Sequence, residues 1–405
     1  MKILLVNKYY YLKGGTERHL FALETLLKEQ GHSVVPFAMA HPHNRPSEYS
    51  PYFAAAVDFD RFSVKSAIKF FYNYNAVKQL KKLIKAERPD VAHIHNIAHQ
   101  LTPAIIKVLK KNNIPVVQTW HDYQHLCPNY QLFTKGQQCE RCRQGSYFKA
   151  CRYRCVKNSF WKSLMSAMEM TWYAKIKRAY QQADAYISPS KFMVDVSQRF
   201  GFIGNQHHVE NFLTETEWQS YRQIPAIAEN GYLLYYGRLS TEKGIILLLE
   251  AYAKSNIKRP LHLVGSGPIE TEVRQTIERL GLSNQVFWQP HVDQAGVLEA
   301  LAGAAVVILP SLWPENLPYG AIEALAAGRP LLAAATGGLP ELVTEHKNGW
   351  LFPVGDGAVL AQKLVAVDLC DHASMSDACR ASVERMQSHN YAAKIEQVYQ
   401  SLING

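Results

Sequence analysis

The sequence predicts an α/β protein made of two doubly wound domains, each a parallel sheet with helices on its faces. Three observations carry this. Short apolar runs alternate with helix-like ones along most of the chain, as parallel strands and their crossover helices require. The opening pattern of strand, glycine-containing turn and helix, LLVNKYYYLKGGTERHLFALETLL, is echoed by LLYYGRLSTEKGIILLLEAY. A chain of 405 residues has room for two or three cores.

Taken in order, KILLVN (2–7) reads as a buried strand and ERHLFALETLLKEQG (17–31) as the helix that follows it. DVAHIHN (90–96) with PAIIKVLKKN (103–112) repeats the pair, and PVVQTW (115–120) and ADAYISPS (183–190) add strands. The periodic pattern lapses over 205–231, which places a boundary near Glu210. YLLYYG (232–237) restarts it, followed by LHLVG (261–265), ETEVRQTIERLG (270–281), QVFWQP (285–290), AAVVILP (304–310) and PLLAAAT (330–336). These runs are too many for one modest sheet. Residues 1–209 are therefore expected to form an N-terminal Rossmann-like domain and 210–385 a second one. A last helix over 386–405 is expected to pack back on the first.

Composition narrows the class. Hydrophobic residues at 47% and charged residues at 19%, with glycine and proline scattered, exclude collagen, coiled coil and wholesale disorder. No apolar run reaches the roughly 18 residues of a spanning helix, and the apolar start at 3–6 is too short for a signal peptide, so neither a bilayer crossing nor export is expected. The net charge of +10 hides an asymmetry: 30 Lys+Arg against 13 Asp+Glu in residues 1–200, and 14 against 21 in the remainder. The first half therefore suits a polyanionic partner, nucleic acid or an anionic membrane surface.

Two constellations could carry chemistry. Arg238 and Lys243, in a loop between a strand and a helix, outline an anion site: helix N-termini offer unpaired N–H groups, and the two cations would bind a diphosphate and stabilise it as it leaves. Glu315 and Glu323 follow the strand AAVVILP, one in the loop and one on the next helix, where their carboxylates could hold sugar and ribose hydroxyls.

These residues resemble a known family. GRLSTEKG, VGSGP (264–268) and ENLPYGAIEALAAGRPLLAAATGGLPELV are similar to the C-terminal half of the retaining, family 4 type of nucleotide-sugar glycosyltransferases, which have the two-domain GT-B fold. MKILLVN, KGGTERH, HIHN and WHD agree with that family's acceptor-side domain. The resemblance covers 231–355 closely and 1–130 loosely. It implies a phosphate-binding pair at Arg238 and Lys243, and a Glu-x7-Glu motif with Glu315 near the donor sugar and Glu323 on the ribose. It further implies backbone contacts from Asn316 and Leu317, close approach of the first loop at Gly14 and Gly15, and an active-site histidine at His121. Gly265 falls in the donor site, and base contacts are implied around Gln289, Pro290, His291 and Val292. Asn316-Leu317-Pro318-Tyr319-Gly320 replaces the usual Gly-Phe-Gly-like stretch. The implied activity is transfer of a sugar from a nucleoside diphosphate, without a catalytic divalent metal, to a hydroxyl of a lipid-linked or polysaccharide acceptor. Asp58-Phe59-Asp60 only superficially matches the acidic triplet of the other glycosyltransferase fold and reads as a solvated turn. Rival readings are a catalytically silent GT-B glycan-binding or scaffold subunit, and a zinc-containing nucleic-acid binder.

The insert at 127–155 departs from the shared machinery. Its pattern C-x11-C-x2-C-x8-C-x3-C contains the close pairs Cys139/Cys142 and Cys151/Cys155, with Cys127 as a possible alternate. A structural zinc is expected there, against an iron–sulfur cluster or metal-free thiols or disulfides. Cys370 and Cys379 read as thiols of a C-terminal helix. His93, His95, His99, His121 and His125 cluster in sequence, but strand alternation and separate loops argue against a metal site. Over 61–86 and 135–180 basic residues share amphipathic stretches with apolar ones. The second, with 11 basic against 2 acidic residues and several aromatics, is expected to lie on an anionic membrane at the cytoplasmic face, with no nucleic acid as partner.

Overall fold

The computed structural model describes residues 1–58, 64–290 and 292–404. Phe59 and Asp60 of the acidic triplet, and His291 of the implied base contacts, lie outside them. The chain divides into two compact units, one of Met1–Leu132, Glu140–Asn211 and His389–Gly405, the other of Phe133–Cys139 and Phe212–Ser388.

The first unit is built on six parallel strands, β1 (Lys2–Val6), β2 (Ser33–Phe37), β3 (Val91–Ile94), β4 (Val116–Thr119), β7 (Ala185–Ser188) and β8 (Gln206–His208), in the order β2-β1-β3-β4-β7-β8. The intervening β5 (Phe133–Thr134) and β6 (Gln137–Gln138), which group with the second unit, form an antiparallel hairpin of two residues per strand. Every residue of β3, β4 and β7 is buried, as expected for strands covered on both faces. The helices are α1 (Gly15–Glu29), α2 (Val64–Phe71), α3 (Tyr74–Glu87), α4 (Ala104–Lys111), α5 (Lys149–Tyr153), α6 (Phe160–Met170) and α7 (Lys191–Arg199). The described part of the amphipathic stretch, from Val64 on, is thus two helices. Asn73 caps the second, its side chain accepting from the Ala76 N–H at 3.1 Å, and Val77, Leu80, Leu83 and Ile84 go into the core. After α6 the chain widens into a π-helical turn, Thr171–Ile176.

The second unit repeats the plan with β9 (Tyr232–Tyr236), β10 (Leu261–Val264), β11 (Val286–Gln289), β12 (Ala304–Leu309), β13 (Leu331–Ala334) and β14 (Gly349–Phe352), in the order β11-β10-β9-β12-β13-β14. That is the Rossmann order, third-second-first-fourth-fifth-sixth. Helices α8 (Glu215–Arg222), α9 (Ile245–Ser255), α10 (Glu270–Arg279), α11 (Gln294–Ala302), α12 (Tyr319–Ala326), α13 (Gly357–Asp368) and α14 (Ser376–Ser382) surround it. Arg329 is fully buried, yet its guanidinium donates to the carbonyls of Pro225, Leu301, Ala302 and Ala327 at 2.8–3.0 Å, which offsets its desolvation.

The last helix, α15 (Ser388–Ile403), is part of the first unit apart from its first residue, and buries Tyr391, Ile395, Val398 and Tyr399 there. Among the described residues no helix is long and apolar enough to cross a membrane.

Candidate functional site

In an open α/β sheet the loops diverge where strand order reverses, leaving a crevice at the carboxyl ends of the two central strands. In the second unit these strands are β9 and β12. The loop after β9 carries Arg238 and Lys243; the loop after β12 carries Glu315. The structure brings two of these three together: Lys243 Nζ donates to Glu315 Oε1 at 2.6 Å, and Ser311 Oγ donates to the same oxygen at 2.6 Å. Glu315 is buried, whereas Arg238, on the same loop as Lys243, is exposed.

Glycine makes this approach possible. Gly244 has φ +73°, and a Cβ there would lie 2.0 Å from the carbonyl oxygen of Pro310. The β9 loop can therefore close on the β12 loop only with glycine at that position. Gly265 is held likewise, at φ +132° with the Gly237 carbonyl 2.0 Å from the position of a Cβ. Glu242 reinforces the closure, its carbonyl accepting from Leu312 N–H at 2.8 Å.

Glu323 lies one turn into α12, buried, and accepts from the Tyr236 hydroxyl at 3.0 Å. Asn316 and Leu317 are buried just ahead of that helix's N-terminus. Val292 follows β11, half-buried. Tyr236 and Ser311 were missed by sequence reasoning; the signal available was only their position at the carboxyl ends of β9 and β12.

In the first unit the switch point lies between β1 and β3. The loops there are stitched together: Lys8 N–H donates to the Asn96 carbonyl at 2.7 Å, and Asn96 N–H to Asn7 Oδ1 at 3.0 Å. Gly14 and Gly15 open α1, both exposed. Gly14 is extended at φ −176°, and a Cβ on Gly15 would meet nothing within 4 Å. The fold does not need glycine at either position, so what the pair supplies is room beside the helix N-terminus.

His121 follows β4, and its Nε2 lies 2.8 Å from Nδ1 of His95 at the end of β3. His93 stacks on His95 with centroids 4.5 Å apart and hydrogen-bonds to Tyr399 at 2.6 Å and Thr119 at 2.7 Å. His19, from α1, reaches the Tyr391 hydroxyl at 3.2 Å. Burial pushes the His93 and His121 imidazoles down to about 3 and those of His19 and His95 well below their usual value, so all four are neutral.

Ligand nitrogens of His19, His95 and His121 lie within 4.8 Å of one another. Neutral imidazoles so placed are the group best suited to a transition metal among the described residues. This proximity was not expected from sequence, because His19 lies far from the other histidines along the chain. His125 stays apart as a core residue, stacked on Trp120 at 3.9 Å and bonded to Ser197 at 2.8 Å. His99 stacks on Phe70 and lies 3.3 Å from Glu169.

The cysteines behave differently. Cys127, Cys142 and Cys151 are buried, Cys139 and Cys155 half-buried, and no disulfide joins them. No three of these sulfurs come within 4.8 Å of one another, so the expected four-thiolate cluster is not assembled in this structure. Cys127 Sγ instead donates to Asn129 Oδ1 at 2.9 Å. The segment is irregular: among the described residues, seven of the fourteen non-glycine residues with positive φ fall between Tyr130 and Asn158.

Both halves match described families. "Glycosyltransferase Family 4" matches residues 13–212 and "Glycosyl transferases group 1" residues 218–372. The chain belongs to the family 4 glycosyltransferases. A putative colanic acid biosynthesis glycosyltransferase of Escherichia coli is 28% identical over 182 residues, 43% of this chain and 45% of that protein. Among solved structures, the sucrose-phosphate synthase of Thermosynechococcus elongatus superposes with a TM-score of 0.73 at 21% identity, covering 100% of this chain and 99% of that one. The Anabaena protein HepE, solved with UDP, gives 0.63 at 20% identity, covering 99% and 100%. Two parallel six-stranded sheets with these neighbours make this glycosyltransferase a GT-B protein.

Proposed function

We propose that this glycosyltransferase moves a hexosyl group from a nucleoside diphosphate sugar to a hydroxyl of a lipid-linked or polysaccharide acceptor, with retention at the anomeric carbon and no catalytic divalent metal. The observation that carries the reading is the Lys243–Glu315 pair at the switch point of the second sheet, with Arg238 exposed on the same loop as Lys243. A diphosphate arriving there meets a lysine already held in place and an arginine with room to turn. That HepE was solved with UDP supports a uridine donor.

In the proposed step the bond from the anomeric carbon to the diphosphate oxygen breaks and a bond to the acceptor oxygen forms on the same face. The acceptor proton passes to the departing diphosphate. Arg238 and Lys243 stabilise the negative charge that grows there, Glu315 orients the sugar, and Glu323 takes the ribose hydroxyls. Asn316 and Leu317 offer backbone N–H groups to the donor, Gly265 and Val292 border it, and Gly14 and Gly15 give its phosphates space. His121, held neutral, contacts the sugar through a lone pair or N–H rather than as a charge. Glu315 is engaged by Lys243 and Ser311, and Glu323 by Tyr236, which favours this route over a covalent glycosyl intermediate on either carboxylate.

Two further parts belong to the proposal. The basic segment over 135–180 holds the enzyme to the anionic cytoplasmic face of a membrane, where a lipid-linked acceptor resides. A zinc bound by Cys139, Cys142, Cys151 and Cys155, with Cys127 in reserve, draws their sulfurs together and staples the irregular insert; elemental analysis of protein purified without chelator reads about one zinc per chain if so, and none if not.

Melting-point shifts across UDP-, GDP- and ADP-sugars test the donor, because a ligand of the folded state alone raises the melting point. With the donor found, Lys243→Ala and Arg238→Ala each lower kcat by roughly 10²–10³ while the protein stays folded. Unchanged turnover in either variant removes that residue from the mechanism. Proton NMR of the product reads the anomeric configuration, and activity in excess chelator tests metal independence.

A further inference from the structure

The first unit contains a pocket of about 470 Å³ that the sugar-transfer chemistry does not use. It runs along α4 from Pro103 to Asn112, between α3 and the π-helical turn. Val77, Val108, Trp172 and Ile176 line its apolar wall, and Lys81, Lys107, Lys111 and Lys177 stand around it; no carboxylate is among the lining residues. Lys107 and Lys111 are four residues apart on one helix, a like-charge spacing that destabilises α4 unless an anion lies between them. The neighbouring Lys110, by contrast, is paired with Asp184 at 2.5 Å.

At the pocket, apolar side chains face solvent: lining residues Ile176 and Trp172 are 61% and 37% exposed, and Tyr74, its ring 4.5 Å from that of the lining Tyr72, is 70% exposed. Lys177 lies over the Trp172 ring, 4.6 Å from its centroid. Aromatic and aliphatic groups at a rim of lysines form the pattern by which a protein meets the headgroup layer of a bilayer, its lysine stems along the apolar surface and its ammonium groups at the phosphates. A free phosphate would use the cations and leave the apolar wall bare. A neutral chain would fill the wall and leave four like charges unrelieved.

We propose that this pocket binds one anionic phospholipid of the membrane, an acyl chain against Val77, Val108 and Ile176 and the phosphate among Lys81, Lys107, Lys111 and Lys177. The inference rests on the membrane attachment proposed above and names the lipid and the place.

The test uses the full chain and two probes. Calorimetry with dihexanoylphosphatidylglycerol below its micelle concentration is expected to give one site per chain, weakened at least about tenfold when the four lysines become glutamine. Dihexanoylphosphatidylcholine and inorganic phosphate are expected to bind at least as weakly as that variant. Ile176→Ser, at an exposed position that folding does not need, should weaken the lipid and leave phosphate unchanged. Equal binding of inorganic phosphate, or an affinity for the short anionic lipid unchanged in either variant, overturns the proposal. Co-sedimentation with vesicles of phosphatidylcholine, alone or mixed equally with phosphatidylglycerol, separates the two readings. If anionic vesicles pull down wild type and the four-lysine variant alike, the pocket is wrong and membrane attachment stands. If they pull down neither while the short lipid binds, attachment is wrong and the pocket stands.

Discussion

His121 shows how one residue depends on its neighbours. Its Nε2 is 2.8 Å from His95 Nδ1, and both rings are neutral, so a single proton lies between them and fixes which nitrogen of His121 remains for a ligand. His95 is thus a positioning residue for the proposed active-site histidine. His95→Ala should lower kcat by up to roughly 10²-fold, the cost of a small misplacement, while the donor-induced melting shift persists. His95→Asn, which keeps a side chain able to hydrogen-bond, should recover part of the rate. Loss of melting temperature in both variants, with no recovery by asparagine, would mean that His95 serves packing alone. The sequence placed His95 on a strand end and His121 within WHD, but their contact depends on β3 and β4 being neighbours, which spacing along the chain does not encode.

At the scale of elements, the two glycine-bearing loops that look alike in sequence do different jobs. In the β9 loop, Gly244 is demanded by the backbone, with φ +73° and Pro310 against it. Gly244→Ala should destabilise the second unit by about 1–3 kcal/mol and abolish the donor-induced shift, because Lys243 is carried by the same turn. Before α1, Gly15 is demanded by nothing in the fold, since a Cβ there has open space. Gly15→Ala should leave the denaturation midpoint unchanged or slightly raised, as for glycine removed from a helix start, yet raise the KM for donor. A midpoint drop in Gly15→Ala would show that the backbone, rather than a ligand, requires that glycine. Strand and helix positions were legible here because their periodicities differ. The Cys-rich segment was not, because left-handed residues such as Leu132 and Lys157 carry no signature in an L-amino-acid sequence.

For the molecule as a whole, the two sheets were legible because nine of their twelve strands read as short apolar runs and the one-letter rhythm restarts at Tyr232, whereas β2, β14 and the polar β8 (Gln-His-His) were not read. What the sequence could not display is how unevenly the buried histidines are distributed. His19, His93, His95, His121 and His125 all lie in the first unit, each with burial holding it neutral, three of them down to about 3. In the unfolded chain each returns toward 6.5. Between pH 6.5 and about 3 the unfolded state therefore binds more protons than the native one, so the first unit's stability is full above that window and falls as pH is lowered through it. Each such histidine contributes up to about 1.4 kcal/mol per pH unit. In the second unit burial lowers His262 and His372, a smaller set. Hydrogen exchange at pH 7 and pH 5 should then show protection lost over β1, β3 and β4 well before β9 and β12. His125→Phe, which keeps the stacking on Trp120 and removes one titrating group, should flatten the pH dependence by about one proton. Equal loss of protection in the two sheets, or an unchanged slope in that variant, would show that acid sensitivity arises elsewhere.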